Sequence, residues 1–159
     1  MTIYTIGVYN SSEDSFFEKL SENGIDTFCD IRQRRGVRGS QYKFVNSIYL
    51  QKKLLEMGIK YMHISDLAPT KAIREKQWAA DALLGEKKKT RVRLGEIFVR
   101  EYCNCILCGY DFDFLMNELK AIGASRVVFF CVEEHPEACH RSLVASELAK
   151  RYGFKVIDL

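Results

Sequence analysis

Short runs of β-branched and aromatic residues alternate along this chain with stretches whose apolar positions recur every three or four residues. That alternation predicts strand, helix, strand, repeated several times. "TIYTIG" is a first strand ending in Gly7. "SSEDSFFEKLSENG" follows, with Ser11 or Ser12 as N-cap, acids in the first turn, Phe16, Phe17 and Leu20 on one face, and Gly24 as stop. "IDTFCDIR" predicts the second strand. After a basic loop, "SIYLQKKLLEMG" places Ile48, Leu54 and Leu55 in a helical pattern closed by Gly58, and "IKYMHI" predicts a third strand. The segment 65–93 is polar and shows no clear period. Helical patterns then cover 94–107 and 111–122, "RVVFFCV" predicts a buried strand, 141–152 a helix stopped by Gly153, and "KVIDL" a last edge strand. The strands are continuous apolar runs rather than alternating ones, so the expected fold is a three-layer α/β arrangement: a mostly parallel open sheet with helices on both faces.

A length of 159 residues suits one domain, taken as 1–159 with the polar insert at about 65–93, and 47% hydrophobic with 28% charged residues is an ordinary globular composition. The start, "MTIYTIGVYN", carries no export signal, and the apolar run at 127–132 is too short to span a bilayer. A cytoplasmic protein without a membrane partner is expected, and its six cysteines are then expected as free thiols rather than a disulfide framework. The net charge of +3 is modest, but its distribution says more. Arg32, Arg34, Arg35, Arg38, Lys43, Lys52 and Lys53 fall between Ile31 and Leu55 with no acid among them, and "EKKKTRVR" repeats the bias at 86–93. Two such runs point to a surface that faces anions.

In an open parallel sheet, ligands gather beyond the carboxyl ends of the strands. Three loops qualify: the one after Gly7, the one after Asp30, and 133–141. Alternation along the second strand puts Asp30 and Arg32 on the same side at its end, where a carboxylate and a guanidinium can act together. The residues at these ends, Thr5-Ile6-Gly7, Asp30-Ile31-Arg32, Gly58-Ile59-Lys60-Tyr61, and Cys131-Val132-Glu133 leading through Pro136 to Cys139-His140-Arg141-Ser142, resemble the family called domain of unknown function 488 nearly end to end. The resemblance implies a compact α/β domain with a pocket, and no settled reaction. The chain departs from the family pattern after Gly7, where it reads Val8-Tyr9-Asn10, so no side-chain role transfers to Val8 or Tyr9.

"FFCVEEHPEACHRSLVA" admits three chemistries. A metal would draw on Cys131, Cys139, His140 and His135, but Cys139 and His140 are adjacent, and adjacent helical side chains diverge. A thiolate nucleophile would be Cys139, at a helix start beside Arg141, although the spacing from Cys131 is wrong for a strand-end cysteine loop. An anion cradle fits best: Pro136 fixes a turn, the first amides of the helix near Cys139 to Ser142 lack partners, and the helix dipole favours negative charge. Neither metal nor cofactor is called for. The expected ligand-binding set is Gly7, Arg32, Cys139, Arg141 and Ser142. If the pocket is catalytic, Asp30 serves as base or nucleophile, with His140 or Glu133 moving the proton. The function expected is binding of a phosphate-bearing ligand, a nucleotide or nucleic acid, with hydrolysis or transfer as its extension. The alternatives are a non-catalytic nucleic-acid or protein binding module, and a thiol or metal-dependent enzyme.

Overall fold

The computed structural model describes residues 1–87 and 89–159; Lys88, one cation of the second basic run, lies outside the described residues. Five strands, β1 (Thr2–Ile6), β2 (Thr27–Asp30), β3 (Lys60–His63), β4 (Arg126–Phe130) and β5 (Lys155–Asp158), form one sheet in the order β3-β2-β4-β1-β5. Every pairing is parallel. The three central strands are almost wholly buried and consist of the apolar runs read from the sequence, as a sheet covered on both faces requires. The fold is therefore three-layer α/β, and its sheet is wholly parallel.

Helix α1 (Glu13–Glu22) starts at Ser12, whose hydroxyl accepts from the Ser15 amide in a capping box. Its Phe16 meets Phe28 of β2 and Phe130 of β4, which places α1 over the sheet face bearing those rings. Helix α2 (Ser47–Glu56) buries Leu50 and Leu54, while Ile48 and Leu55, expected in its apolar pattern, are exposed. Helix α6 (His140–Tyr152) packs on β1, β4 and β5 and also touches α4 (Glu96–Tyr102). A π-helical stretch, Cys103–Leu107, extends α4, and α5 (Phe112–Ala121) precedes β4.

The polar segment 65–93 contains a helix that apolar periodicity does not reveal. Helix α3 (Lys71–Leu84) is capped by Thr70 and stopped by Gly85 in the left-handed conformation. Its buried residues, Ile73, Gln77 and Asp81, recur every four positions, so the inward stripe is real but two of its three members are polar.

Candidate functional site

At the carboxyl edge of the sheet, β1 and β4 approach so closely that a Cβ on Gly7 would lie 1.9 Å from the Glu133 carbonyl oxygen. Glycine is required there by contact. Arg141, buried in the first turn of α6, locks the same junction: Nε donates to Thr5 Oγ1 at 3.2 Å, Nη1 to the Glu133 carbonyl, and Nη2 to the Glu134 carbonyl at 2.8 Å. The Ser142 hydroxyl donates to the Cys139 carbonyl at 2.9 Å. Gly7, Arg141 and Ser142, expected to touch ligand, thus build the loop 131–141 and line neither of the two cavities at this edge.

Asp30 and Arg32 come together as their spacing predicts. Arg32 donates to Asp30 twice, Nε to Oδ1 at 2.8 Å and Nη2 to Oδ2 at 2.7 Å, and its backbone amide donates to Oδ1 at 3.1 Å. The Tyr61 hydroxyl adds a bond to Oδ2 at 2.9 Å; burial first, then the Asp30 charge, push that phenol up to about 12, so it remains a donor at neutral pH. Arg32 Nη2 also reaches the Val45 carbonyl at 3.0 Å, and the guanidinium carbon stands 4.5 Å from the centre of the Phe130 ring. Both side chains are almost fully buried. Nη1 has no hydrogen-bond partner among the described residues, and it is the buried side-chain nitrogen or oxygen of which that is true.

Arg32 lines a cavity of about 920 Å³ at the ends of β2 and β4. Arg34 and Arg38 enter it from the loop after β2, Lys71 and Arg74 from α3, and Lys87 and Lys89 from the loop that follows. None of the described residues lining it is acidic. Arg32, Arg34 and Arg38 of the first basic run converge here with Lys87 and Lys89 of the second, and α3 adds two cations and the half-exposed Trp78 from a segment in which the sequence shows no clear period. Tyr9 also lines it, and the Lys89 ammonium lies 5.6 Å from the Tyr9 and Tyr42 ring centres.

A second, smaller cavity of about 120 Å³ shares Arg74 and Trp78 with the first and is lined by Glu133, Cys139 and His140. Arg91 crosses its wall, pairing with Asp81 at 2.8 Å and Glu133 at 3.3 Å and donating to the Ala138 carbonyl. Gln77 holds Asp81 Oδ1 at 2.6 Å and accepts from the Gly95 amide. This buried network ties the insert to the loop after β4. Gln77 and Asp81 were not singled out from the sequence, their spacing being the available signal, and Arg91, counted in the basic run at 86–93, is buried against Asp81 and Glu133 instead of facing an anion.

His140 faces Cys139, with Nδ1 3.8 Å from Sγ, while Nε2 lies 3.2 Å from the Ile31 carbonyl. The expectation that these adjacent side chains diverge fails for a local reason. Cys139 is the N-cap of α6, extended at φ −136° and ψ 143°, and only His140 is helical. Cys131 comes into the same cluster, with the ligand atoms of Cys131, Cys139 and His140 all within 4.8 Å of one another. Burial, reinforced by Cys131, pushes the Cys139 thiol up to about 11, so a thiolate nucleophile at neutral pH has no support here. Asp30, fully buried, lines neither cavity. The Asp30 and His140 clusters meet at one edge through the Ile31 backbone, but His140 lines the smaller cavity and Arg32, not Asp30, the larger.

The family model described as "Domain of unknown function DUF488" matches residues 12–148, and the chain belongs to that family. No curated protein and no solved structure gives a significant match.

Proposed function

We propose that this DUF488 domain binds a phosphate-bearing ligand, a nucleotide or a nucleic-acid strand, in the basic cavity at the carboxyl ends of β2 and β4. The observation that carries the reading is the wall of that cavity, seven lysines and arginines from three separate segments with no acid among the described lining residues. Like charges brought together by folding repel one another, and an anion removes that cost. Arg32 supports the reading further, since Asp30 and Phe130 fix its guanidinium at the cavity wall while Nη1, itself buried, has no acceptor among the described residues. Trp78, half-exposed on the cavity wall, offers a ring face on which a base can stack.

In this reading Asp30 positions Arg32. The catalytic extension rests on His140 and Glu133, which line the adjoining cavity where a leaving group or water would be handled. A thermal-shift screen of nucleotides and inorganic phosphate tests binding. Each charge-assisted hydrogen bond is worth about 1.5–3 kcal/mol before ordering costs. Nucleotides should therefore raise the midpoint of the wild-type chain and leave that of an Arg34→Glu, Lys89→Glu variant unmoved. No response in the wild type sets the reading aside. Turnover that survives His140→Gln would remove the catalytic extension alone.

A further inference from the structure

We propose that Cys131, Cys139 and His140 form a binding site for a zinc-type transition-metal ion, buried between the end of β4 and the start of α6; with an ion bound, His140 is a ligand and the proton-transfer role considered above does not apply to it. All three side chains are buried and their ligand atoms lie within 4.8 Å of one another. Tetrahedral zinc, with bonds of about 2.3 Å to sulfur and about 2.0–2.1 Å to nitrogen, sets its ligand atoms roughly 3.6–3.8 Å apart. Cys139 Sγ and His140 Nδ1 already stand at 3.8 Å. Closing the remaining separations takes shifts of no more than about 1 Å, within the reach of side-chain rotation.

The surroundings fit a metal ligand set as well as the distances do. A backbone carbonyl only accepts, so the contact with Ile31 O assigns the proton of His140 to Nε2 and leaves the Nδ1 lone pair facing Cys139. That is the arrangement by which a ligating histidine is oriented from behind. Glu133 Oε2 lies 3.3 Å from Cys131 Sγ, and its other oxygen is held at 3.3 Å by Arg91, which is itself held by Asp81. That carboxylate stands beside Cys131, outside the three-residue cluster, and leaves the fourth position to water. The smaller cavity, lined by Glu133, Cys139 and His140, gives an ion its way in. Two sulfurs and an imidazole select zinc, or another borderline-soft ion, over magnesium or calcium. Binding converts both thiols to thiolates and releases their two protons to solvent, with no change of oxidation state.

The test uses the full chain, reduced, stripped with a chelator and titrated with cobalt(II), which zinc then displaces. One equivalent should bind with thiolate-to-cobalt charge-transfer absorption in the near ultraviolet. Cys131→Ser and Cys139→Ser should each diminish that band and weaken uptake by at least the ~10–100-fold that loss of an outer-shell partner costs, since each removes a direct ligand. Cys105→Ser combined with Cys108→Ser removes two exposed thiols and should change nothing. Circular dichroism of the metal-free proteins shows whether each variant is folded. If a cysteine variant is not, His140→Gln and the wild-type stoichiometry decide. Uptake of clearly less than one equivalent by the wild type overturns the proposal. So does a band that survives both Cys131→Ser and Cys139→Ser, or one lost with Cys105 and Cys108.

Discussion

Arg32 is clamped on one side and spare on the other. Asp30 takes two of its donors, Val45 shares one of them, and Phe130 lies against the guanidinium, while Nη1 is left over among the described residues. A buried donor without a partner costs about 1–3 kcal/mol, a cost that persists until something supplies an acceptor. Asp30 matters because it makes this state bearable: its carboxylate neutralises a charge held away from water. Asp30→Asn should therefore lower stability by about 3–5 kcal/mol, as expected when one partner of a buried ion pair is lost. Denaturant unfolding measures this. Arg34 is exposed and makes no such pair, so Arg34→Glu should leave the unfolding midpoint nearly unchanged while reducing nucleotide response. Equal stability of Asp30→Asn and wild type would show that Arg32 does not depend on this clamp.

At the scale of elements, helix α3 and its following loop are fastened by polar contacts. Gln77 and Asp81 face inward, and Arg91 joins Asp81 to Glu133 beneath the smaller cavity. Arg91→Met would leave two buried carboxylates facing each other without a cation, at a cost of about 3–5 kcal/mol if the network opens fully. Because the helix can detach locally, hydrogen exchange should accelerate first in 71–94 rather than in the central strands. Uniform acceleration across the sheet would mean that the network is not a local fastening. The same helix marks where reading the sequence stops short. All five strands, the flanking glycines and the pairing of Asp30 with Arg32 follow from apolar runs and spacing. Helix α3 escapes because its buried stripe is mostly polar, and a hydrophobic period cannot report it. The meeting of Cys139 with His140 escapes because it depends on one extended residue at a helix cap, which assigning both residues to a helix erases.

For the molecule as a whole, the parallel sheet gathers three separate lengths of chain, the loop after β2, α3, and the loop following α3, around one basic hollow. No described helix is long and apolar enough to cross a membrane, and seven of the described lysines and arginines line this hollow, of which Arg32 and Lys71 pair with Asp30 and Glu75. Ligand binding there should weaken as salt rises, and more steeply for an oligonucleotide than for a mononucleotide, since more phosphates release more counterions. The most direct test of the account is calorimetric titration of a nucleoside triphosphate into the wild-type chain at low salt, beside the folded Arg34→Glu, Lys89→Glu variant. The account predicts saturable binding at one site in the wild type and none in the variant under the same conditions. Absence of binding to the wild type, or equal binding to both proteins, would contradict it.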